Sequence, residues 1–299
     1  MIGVATCSRL DIMELFGPVF ARIAPGIELR PPGGVTRPEE VDFVLTFLPD
    51  AEAFRPYPAL RAIFSVGAGT DAILACPSRP DGVPVFRVEE PDQAQQMAGF
   101  AAFHVLWHHR GMAHYVACQR KAHWQRNLGG FTPRARRIGI LGMGHMGQGI
   151  ARGLLALGYP VAGYARRPPA APIEGVAYFA EAARDDFLAR TDILINVLPL
   201  TPETEGLIDA AFLAKLPAGA ALIHLGRGGH LDEDALLSAL ESGHLSGASL
   251  DVFRTEPLPR DHPFWSHPRI LVTPHVASVP EFEDVARSVR DRLETLPER

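Results

Sequence analysis

The sequence predicts an α/β chain of two domains, the larger built on a doubly wound parallel sheet. Three observations carry that expectation. A strand, a glycine turn and a helix follow one another without a gap from 138 to 157. From residue 136 onward, strand and helix patterns keep alternating. The first 91 residues alternate in the same way but lack a glycine fingerprint of their own. Such alternation builds parallel sheets covered by helices. A chain of 299 residues suits two domains of roughly 150 residues, each able to bury a core.

In the first segment, strands are expected at Ile2–Thr6, Val41–Leu48, Ala62–Val66 and Val83–Val88, and a helix at Phe16–Ile23 that ends near Pro25-Gly26. The proline-rich stretches 30–38 and 55–58 read as loops. Ser65-Val66-Gly67-Ala68-Gly69-Thr70-Asp71 follows a strand directly. Two readings fit it. It can be a strand-to-helix turn capped by Asp71, which composition by itself favours, or a backbone cradle whose N–H groups hold a small anion such as a carboxylate.

Pro91-Asp92-Gln93-Ala94-Gln95 has the form of a capping box and opens one long helix, with Met97, Ala101, Val105, Met112 and Val116 along a single apolar stripe. His104, His108, His109 and His114 also lie on it. His104 and His108 stand at i,i+4, a spacing that metal ligands use, but no carboxylate completes a zinc arrangement. They read as packed or solvated helix surface, and no metal is expected.

The organising stretch is Ile138-Gly139-Ile140-Leu141-Gly142-Met143-Gly144-His145-Met146-Gly147. In a chain with 28 glycines a bare Gly-x-Gly-x-x-Gly says little. Here it follows an apolar strand and opens a helix marked by Met146, Ile150, Leu154 and Leu157, which Gly158 and Pro160 stop. That context is what a dinucleotide site requires: a tight turn, close approach of backbone to pyrophosphate, and a helix N-terminus offering unpaired N–H groups. Further strands are expected at 160–164, 192–198, 220–225, 246–252 and 270–273, with helices near 182–189, 209–215 and 232–242. The second strand decides the cofactor. After Tyr164-Ala165 an NAD site commonly carries an acid for the ribose hydroxyls, whereas this chain has Arg166 and Arg167. Guanidinium groups can pair with a 2′-phosphate, so NADP is expected and NAD stays open as a second cofactor.

Three chemically apt residues follow late strands: Arg227 in Leu225-Gly226-Arg227-Gly228-Gly229, Glu256 in Asp251-Val252-Phe253-Arg254-Thr255-Glu256-Pro257, and His275 in Thr273-Pro274-His275-Val276-Ala277. Ligands bind outside the carboxyl ends of parallel strands, so the three should converge there. Reduction of a carbonyl creates an alkoxide, which calls for a proton donor and a cation beside the oxygen. A carboxylate next to an imidazole stabilises its protonated form.

These motifs, in this order, resemble the D-2-hydroxyacid dehydrogenases, and among them the glyoxylate/hydroxypyruvate reductase branch. The likeness runs through Ser65–Asp71, Val85-Phe86-Arg87, Gly142–Gly147, Leu198-Pro199-Leu200-Thr201-Pro202-Glu203-Thr204, Gly226-Arg227-Gly228, Asp251-Val252-Phe253 with Glu256-Pro257-Leu258, and Pro274-His275. The resemblance implies two Rossmann-like domains. A nucleotide domain (93–280) would be inserted into a smaller flavodoxin-like substrate domain (1–92 plus 281–299). It implies NADPH-dependent reduction of small 2-oxo acids, glyoxylate and hydroxypyruvate, to glycolate and D-glycerate. Arg227 would hold the oxo acid, His275 would protonate its carbonyl oxygen, and Glu256 would hydrogen-bond the second imidazole nitrogen. The backbone of Val66, Gly67, Ala68 and Gly69 would grip the substrate carboxylate, and Phe47 with Leu48 would supply an apolar wall. Gly142, Gly144, His145, Met146, Gly147, Leu198, Pro199, Thr204, Leu225, Gly226 and Ala277 would line the cofactor, with Asp251 at the nicotinamide end. The helix at 92–117 and an arm at 118–132 with Trp124 would make a homodimer. The chain departs from the family at Gly99, where an acid is frequent, and at His224, where asparagine is frequent. Related chains also commonly continue past the position of Arg299, which bears on the pocket walls.

Other readings stay open. Dehydrogenase-like corepressors sense NAD(P) without turnover, although Arg227, Glu256 and His275 together argue for catalysis. An NAD-linked 3-phosphoglycerate dehydrogenase is disfavoured by the missing acid after Tyr164, and a formate dehydrogenase by Glu256. The net charge of −5 gives no basic stripe for nucleic acid. The N-terminus lacks a basic, apolar leader pattern and reads as a strand. The longest weakly charged stretch, 138–165, carries Arg152 and many glycines and reads as nucleotide fold rather than membrane span. Cys7, Cys76 and Cys118 form neither a disulfide framework nor a metal spacing, so a reducing, cytoplasmic location is expected.

Overall fold

The structure is a computed structural model that describes residues 1–88, 91–166 and 171–297. The chain divides into two compact units, Met1–Pro91 with Val279–Arg299, and Asp92–Ser278.

The smaller unit holds five parallel strands: β1 (Ile2–Thr6), β2 (Glu28–Arg30), β3 (Val41–Thr46), β4 (Ala62–Ser65) and β5 (Val85–Arg87). Their order is β2-β1-β3-β4-β5, the flavodoxin-like arrangement. The three-residue edge strand β2 has no counterpart in the sequence reading, because it is too short to show a period of two. Helix α1 (Ile12–Ile23) begins a turn earlier than its apolar pattern suggests, since the Asp11 carboxylate accepts the Glu14 N–H at 2.9 Å and caps the start. Helix α2 (Asp71–Leu74) follows the glycine loop after β4. The terminal helix Phe282–Glu294 returns to this unit. Val285, Ala286, Val289 and Leu293 are buried with Phe16 and Phe20 of α1, and the rings of Phe16 and Phe282 lie 4.7 Å apart. Each fully buried side chain of this size stabilises by about 1.5–3 kcal/mol, which explains why the last segment is not a tail.

The larger unit holds seven parallel strands: β6 (Ile138–Leu141), β7 (Val161–Tyr164), β8 (Val176–Phe179), β9 (Ile193–Asn196), β10 (Ala220–His224), β11 (Leu245–Leu250) and β12 (Ile270–Val272). Their order is β12-β11-β10-β9-β6-β7-β8. Numbered from β6, this is the doubly wound dinucleotide order with one strand added, and the order reverses at β6. Phe179, Tyr164, Leu141, Asn196, His224, Leu250 and Val272 pair in one line across the sheet, so the seven strands end together. The edge strand β8, half-buried throughout, is the second strand missing from the sequence reading. At the sheet centre Ile138, Ile140, Leu141 and Leu194 are buried, as a strand covered on both faces requires.

One expected helix is two. Helix α3 (Pro91–Arg110) ends at Gly111, whose φ of 64° is left-handed, and helix α4 (Met112–Arg120) follows. The apolar stripe therefore stops at Val105, and Met112 is exposed. The histidines of α3 are packed. His104 is buried between the rings of Phe100 and Phe103, and His108 Nε2 lies 2.9 Å from Ser249 Oγ on β11. Burial pushes His104 down to about 4 and His108 to about 3, the latter aided by its neighbour His104. Among the described residues no group of three or more His, Cys, Asp or Glu could hold a metal, and no helix is long and apolar enough to cross a membrane.

Candidate active site

Helix α5 (His145–Ala156) starts immediately after the glycine turn, with Gly144 at its N-cap. A Cβ on Gly147 would lie 1.9 Å from the Gly142 carbonyl oxygen, so only glycine lets the helix approach the strand this closely. A Cβ on Gly144 would meet nothing within 4 Å, so the turn is open on the side where phosphate oxygens would sit. His145 is exposed at the first helical position and Met146 is half-buried. This cradle fits a dinucleotide pyrophosphate. Past β7, Arg166 is exposed, while Arg167 lies outside the described residues. The Glu203 carboxyl, in the segment after β9, is held below its usual range chiefly by the Thr201 hydroxyl, with the Arg166 charge as the last and smallest cause. That segment is a tight turn. Thr204 Oγ1 donates to Pro199 O at 2.8 Å and accepts the Thr201 N–H at 2.8 Å.

Arg227, Glu256 and His275 follow the adjacent strands β10, β11 and β12. The His275 Nδ1 to Glu256 Oε2 distance is 2.9 Å, and Glu256 Oε1 accepts the Phe253 N–H at 2.9 Å, so both carboxylate oxygens are engaged. His275 itself has a left-handed φ of 55°. A non-glycine residue adopts this at a cost of about 1–2 kcal/mol, and it persists only where its surroundings fix it. Asp251 does so. Its buried carboxylate accepts from Thr273 Oγ1 at 2.7 Å and from the N–H groups of Val276 and Ala277, each at 3.0 Å. Burial raises the Asp251 carboxyl from its ordinary value, while those hydrogen bonds and His275 oppose the shift.

Arg227 is half-buried, and its Nη1 donates to Gly226 O at 2.8 Å. Its loop presses on the loop that carries Glu256. A Cβ on Gly228 would lie 1.9 Å from the Phe253 carbonyl carbon and 2.0 Å from its oxygen. Leu225 and Gly226 are buried beneath this loop. In the smaller unit, the Ser65 hydroxyl donates to Gly69 O at 2.7 Å and lies 3.3 Å from the Gly67 nitrogen, and a Cβ on Gly67 would come 3.4 Å from the Phe47 ring. Phe47 and the Val66–Gly69 loop thus sit together at one end of that sheet. Thr70 rather than Asp71 occupies the N-cap of α2, and Asp71 is its first helical residue.

Residues 102–277 match the family described as "D-isomer specific 2-hydroxyacid dehydrogenase, NAD binding domain". The chain belongs to this family. It is 44% identical over 244 residues to a glyoxylate/hydroxypyruvate reductase A of Serratia proteamaculans (strain 568), covering 80% of this chain and 77% of the relative. Its fold is shared with a D-isomer specific 2-hydroxyacid dehydrogenase from Xanthobacter autotrophicus Py2, solved in complex with NADPH and MES. That match has a TM-score of 0.90 and 37% identity over 98% of this chain and 93% of the other. It is shared also with an NADPH-dependent glyoxylate/hydroxypyruvate reductase from Sinorhizobium meliloti, solved with NADP and sulfate (TM-score 0.91, 35% identity, 99% and 96% covered).

In this 2-hydroxyacid dehydrogenase the sheet brings the fingerprint, Arg166, Leu198–Thr204, Leu225–Arg227, Asp251, Glu256, His275 and Ala277 to the carboxyl ends of one set of strands. Sequence reasoning missed Asn196 and His230, both fully buried behind Arg227. The signal for His230 was present. It stands three residues after Arg227, the spacing at which a polar side chain reaches back to an N-cap amide.

Proposed function

We propose that this dehydrogenase reduces small 2-oxo acids, glyoxylate and hydroxypyruvate, with NADPH. The observation that carries this reading is the 2.9 Å pair of His275 and Glu256, in the loops after β12 and β11, with β11 next to the strand that leads to Arg227. When bound, the cofactor supplies hydride from its nicotinamide to the substrate C2. Arg227 holds the carboxylate and carbonyl oxygen of the substrate and offsets the charge that grows on that oxygen. Glu256 accepts a hydrogen bond from the Nδ1–H of His275 and stabilises its imidazolium, which leaves the Nε2–H as the proton delivered to the alkoxide. Asp251 keeps His275 in its strained conformation and borders the nicotinamide end. The backbone of Val66 to Gly69 is the smaller unit's candidate for carboxylate recognition, with Phe47 as an apolar wall that favours two- and three-carbon acids.

Arg166 supports NADP over NAD, as does the NADPH or NADP in the solved relatives named above. The cradle itself accepts either dinucleotide. Exposed Phe103, Leu106, Met112, Trp124 and Leu128 on α3, α4 and the following arm support a homodimer through 92–132. Three free, scattered cysteines support a reducing compartment such as the cytoplasm. The deciding experiment follows NADPH oxidation with glyoxylate, hydroxypyruvate, pyruvate and phenylpyruvate. Glyoxylate or hydroxypyruvate should give the highest kcat/KM. No turnover of any 2-oxo acid would instead leave a cofactor-binding protein without catalysis.

A further inference from the structure

Behind Arg227 lies a fully buried polar network of Asn196, His224 and His230. The Leu198 N–H donates to Asn196 Oδ1 at 3.1 Å, which fixes the amide so that Nδ2 is the donor. Its two hydrogens face His224 Nδ1 and His230 Nδ1, both at 3.1 Å. Both imidazoles therefore present a lone pair at Nδ1 and carry their proton on Nε2. His224 Nε2 has no hydrogen-bond partner among the described residues. His230 differs. Its Nδ1 also accepts the backbone N–H of Arg227 at 3.2 Å, and its Nε2–H donates to Pro199 O at 3.2 Å, the oxygen that Thr204 also engages. A Cβ on Gly226 would come within 3.1 Å of the His230 ring, so the imidazole lies directly against the Gly226-Arg227 backbone. Backbone bonds from Gly206 to Gly229 and from Ile208 to His230 tie the far half of this loop, and the His230 ring ties the half that bears Arg227.

We propose that His230 is a positioning residue that sets Arg227. The Nδ1 lone pair of its neutral ring fixes the Arg227 amide, and its Nε2–H anchors the ring to the turn after β9. The inference rests on Arg227 holding the substrate, and its test keeps the two apart. Asparagine at 230 places an oxygen where Nδ1 stands, and glutamine places its polar group where Nε2 stands. His230→Asn should therefore retain kcat/KM for glyoxylate within about threefold, whereas His230→Gln and His230→Phe should lose about 10- to 100-fold, the effect expected when a buried donor loses its acceptor. In an Arg227→Ala background the same Gln and Phe substitutions should change kcat/KM by less than about threefold, because a residue acting through Arg227 has nothing left to act on. Thermal unfolding of each variant, and NADPH titration, report whether it is folded. Where the Phe variant does not fold, the Asn and Gln pair carries the comparison. Equal losses in both backgrounds, or an Asn variant no better than Gln, overturn the proposal, since a ring that only supports the fold behaves so. If Arg227→Ala alone keeps parental kcat/KM, the anchor reading is what fails.

Discussion

At the scale of single residues the three proposed catalytic roles separate experimentally. His275→Ala removes the proton donor and should lower kcat by ~10²–10⁴-fold, with NADPH binding by fluorescence titration nearly unchanged. Arg227→Ala should raise KM and lower kcat together, because the guanidinium meets both the ground-state carboxylate and the developing alkoxide. Glu256→Gln keeps a hydrogen-bonding group at 2.9 Å from the imidazole but loses the charge. The charge that stabilises the imidazolium during proton transfer is then gone, so kcat/KM for reduction should fall while NADPH binding stays near parental. Parental kcat/KM in this variant would remove Glu256 from the mechanism. Arg166 carries the second residue-scale prediction. NADPH should exceed NADH in kcat/KM for the parent, and Arg166→Asp should erase or reverse the preference by repelling the 2′-phosphate. Equal efficiency of the two cofactors in the parent protein sinks that reading.

At the scale of elements, the loops after β10 and β11 act as one unit because Gly228 lets their backbones touch. Gly228→Ala puts a carbon 1.9 Å from the Phe253 carbonyl carbon, and neither partner is a flexible side chain. The two loops must part, and Arg227 and Glu256 with them. We expect kcat/KM for glyoxylate to fall by more than about 100-fold, since small misplacements of positioned groups cost that much. NADPH binding should weaken far less, because the fingerprint on β6 and α5 is not displaced. Parental activity in this variant would show that the loops tolerate separation. The same reasoning explains why α5 could be placed from sequence and the α3–α4 break could not. A glycine fingerprint repeats a known spacing, whereas one glycine in a polar, histidine-rich helix marks a break only when its φ is seen.

At the scale of the whole molecule, buried histidines couple stability to pH. His104 is held near 4, and His108 and His224 near 3, against about 6.5 in an unfolded chain. For His224 burial is the main cause, His230 adds to it, and the Arg227 backbone and the Glu256 charge oppose it. Lowered values mean the folded state prefers the neutral ring. The unfolded state therefore binds more protons as pH falls below about 6.5, and stability present above that pH is lost on the way down to 3–4. Between pH 6.5 and 5 one such group accounts for about 2 kcal/mol, and His104 and His108 are coupled, so their losses do not simply add. His104 has no hydrogen-bond partner at either ring nitrogen among the described residues. His104→Leu should raise the melting temperature at neutral pH and flatten its fall toward about pH 5. A variant with the parental slope would show that His104 does not report the acid transition. The exposed arm adds a second whole-molecule prediction. If the proposed homodimer forms through this arm, Trp124→Asp should lower the mass in light scattering toward that of one chain, and a mass equal to the parent's would remove the arm from the interface.

The sequence by itself determined what depends on local pattern. The glycine fingerprint between an apolar strand and a helix, the strand-helix rhythm after residue 136, and Arg227, Glu256 and His275 just past late strands were all legible, because parallel sheets place ligand chemistry at strand ends. Phe47 and the Val66–Gly69 loop were readable as neighbours of strand ends in the smaller sheet for the same reason. The edge strands β2 and β8 were not, since one neighbour and three or four residues leave no period to read. Only the tertiary structure decided which side chains hold the site together. The family resemblance implies that Asp251 stands at the nicotinamide end, and the structure fills its carboxylate with Thr273, Val276 and Ala277, which lets His275 keep a left-handed backbone. Asn196 and His230 lie 34 positions apart and look like ordinary polar residues in the sequence. They become a support for Arg227 because β9 and β10 run side by side and remove both from water, where each unmet hydrogen bond costs about 1–3 kcal/mol and the partners must be found within the fold.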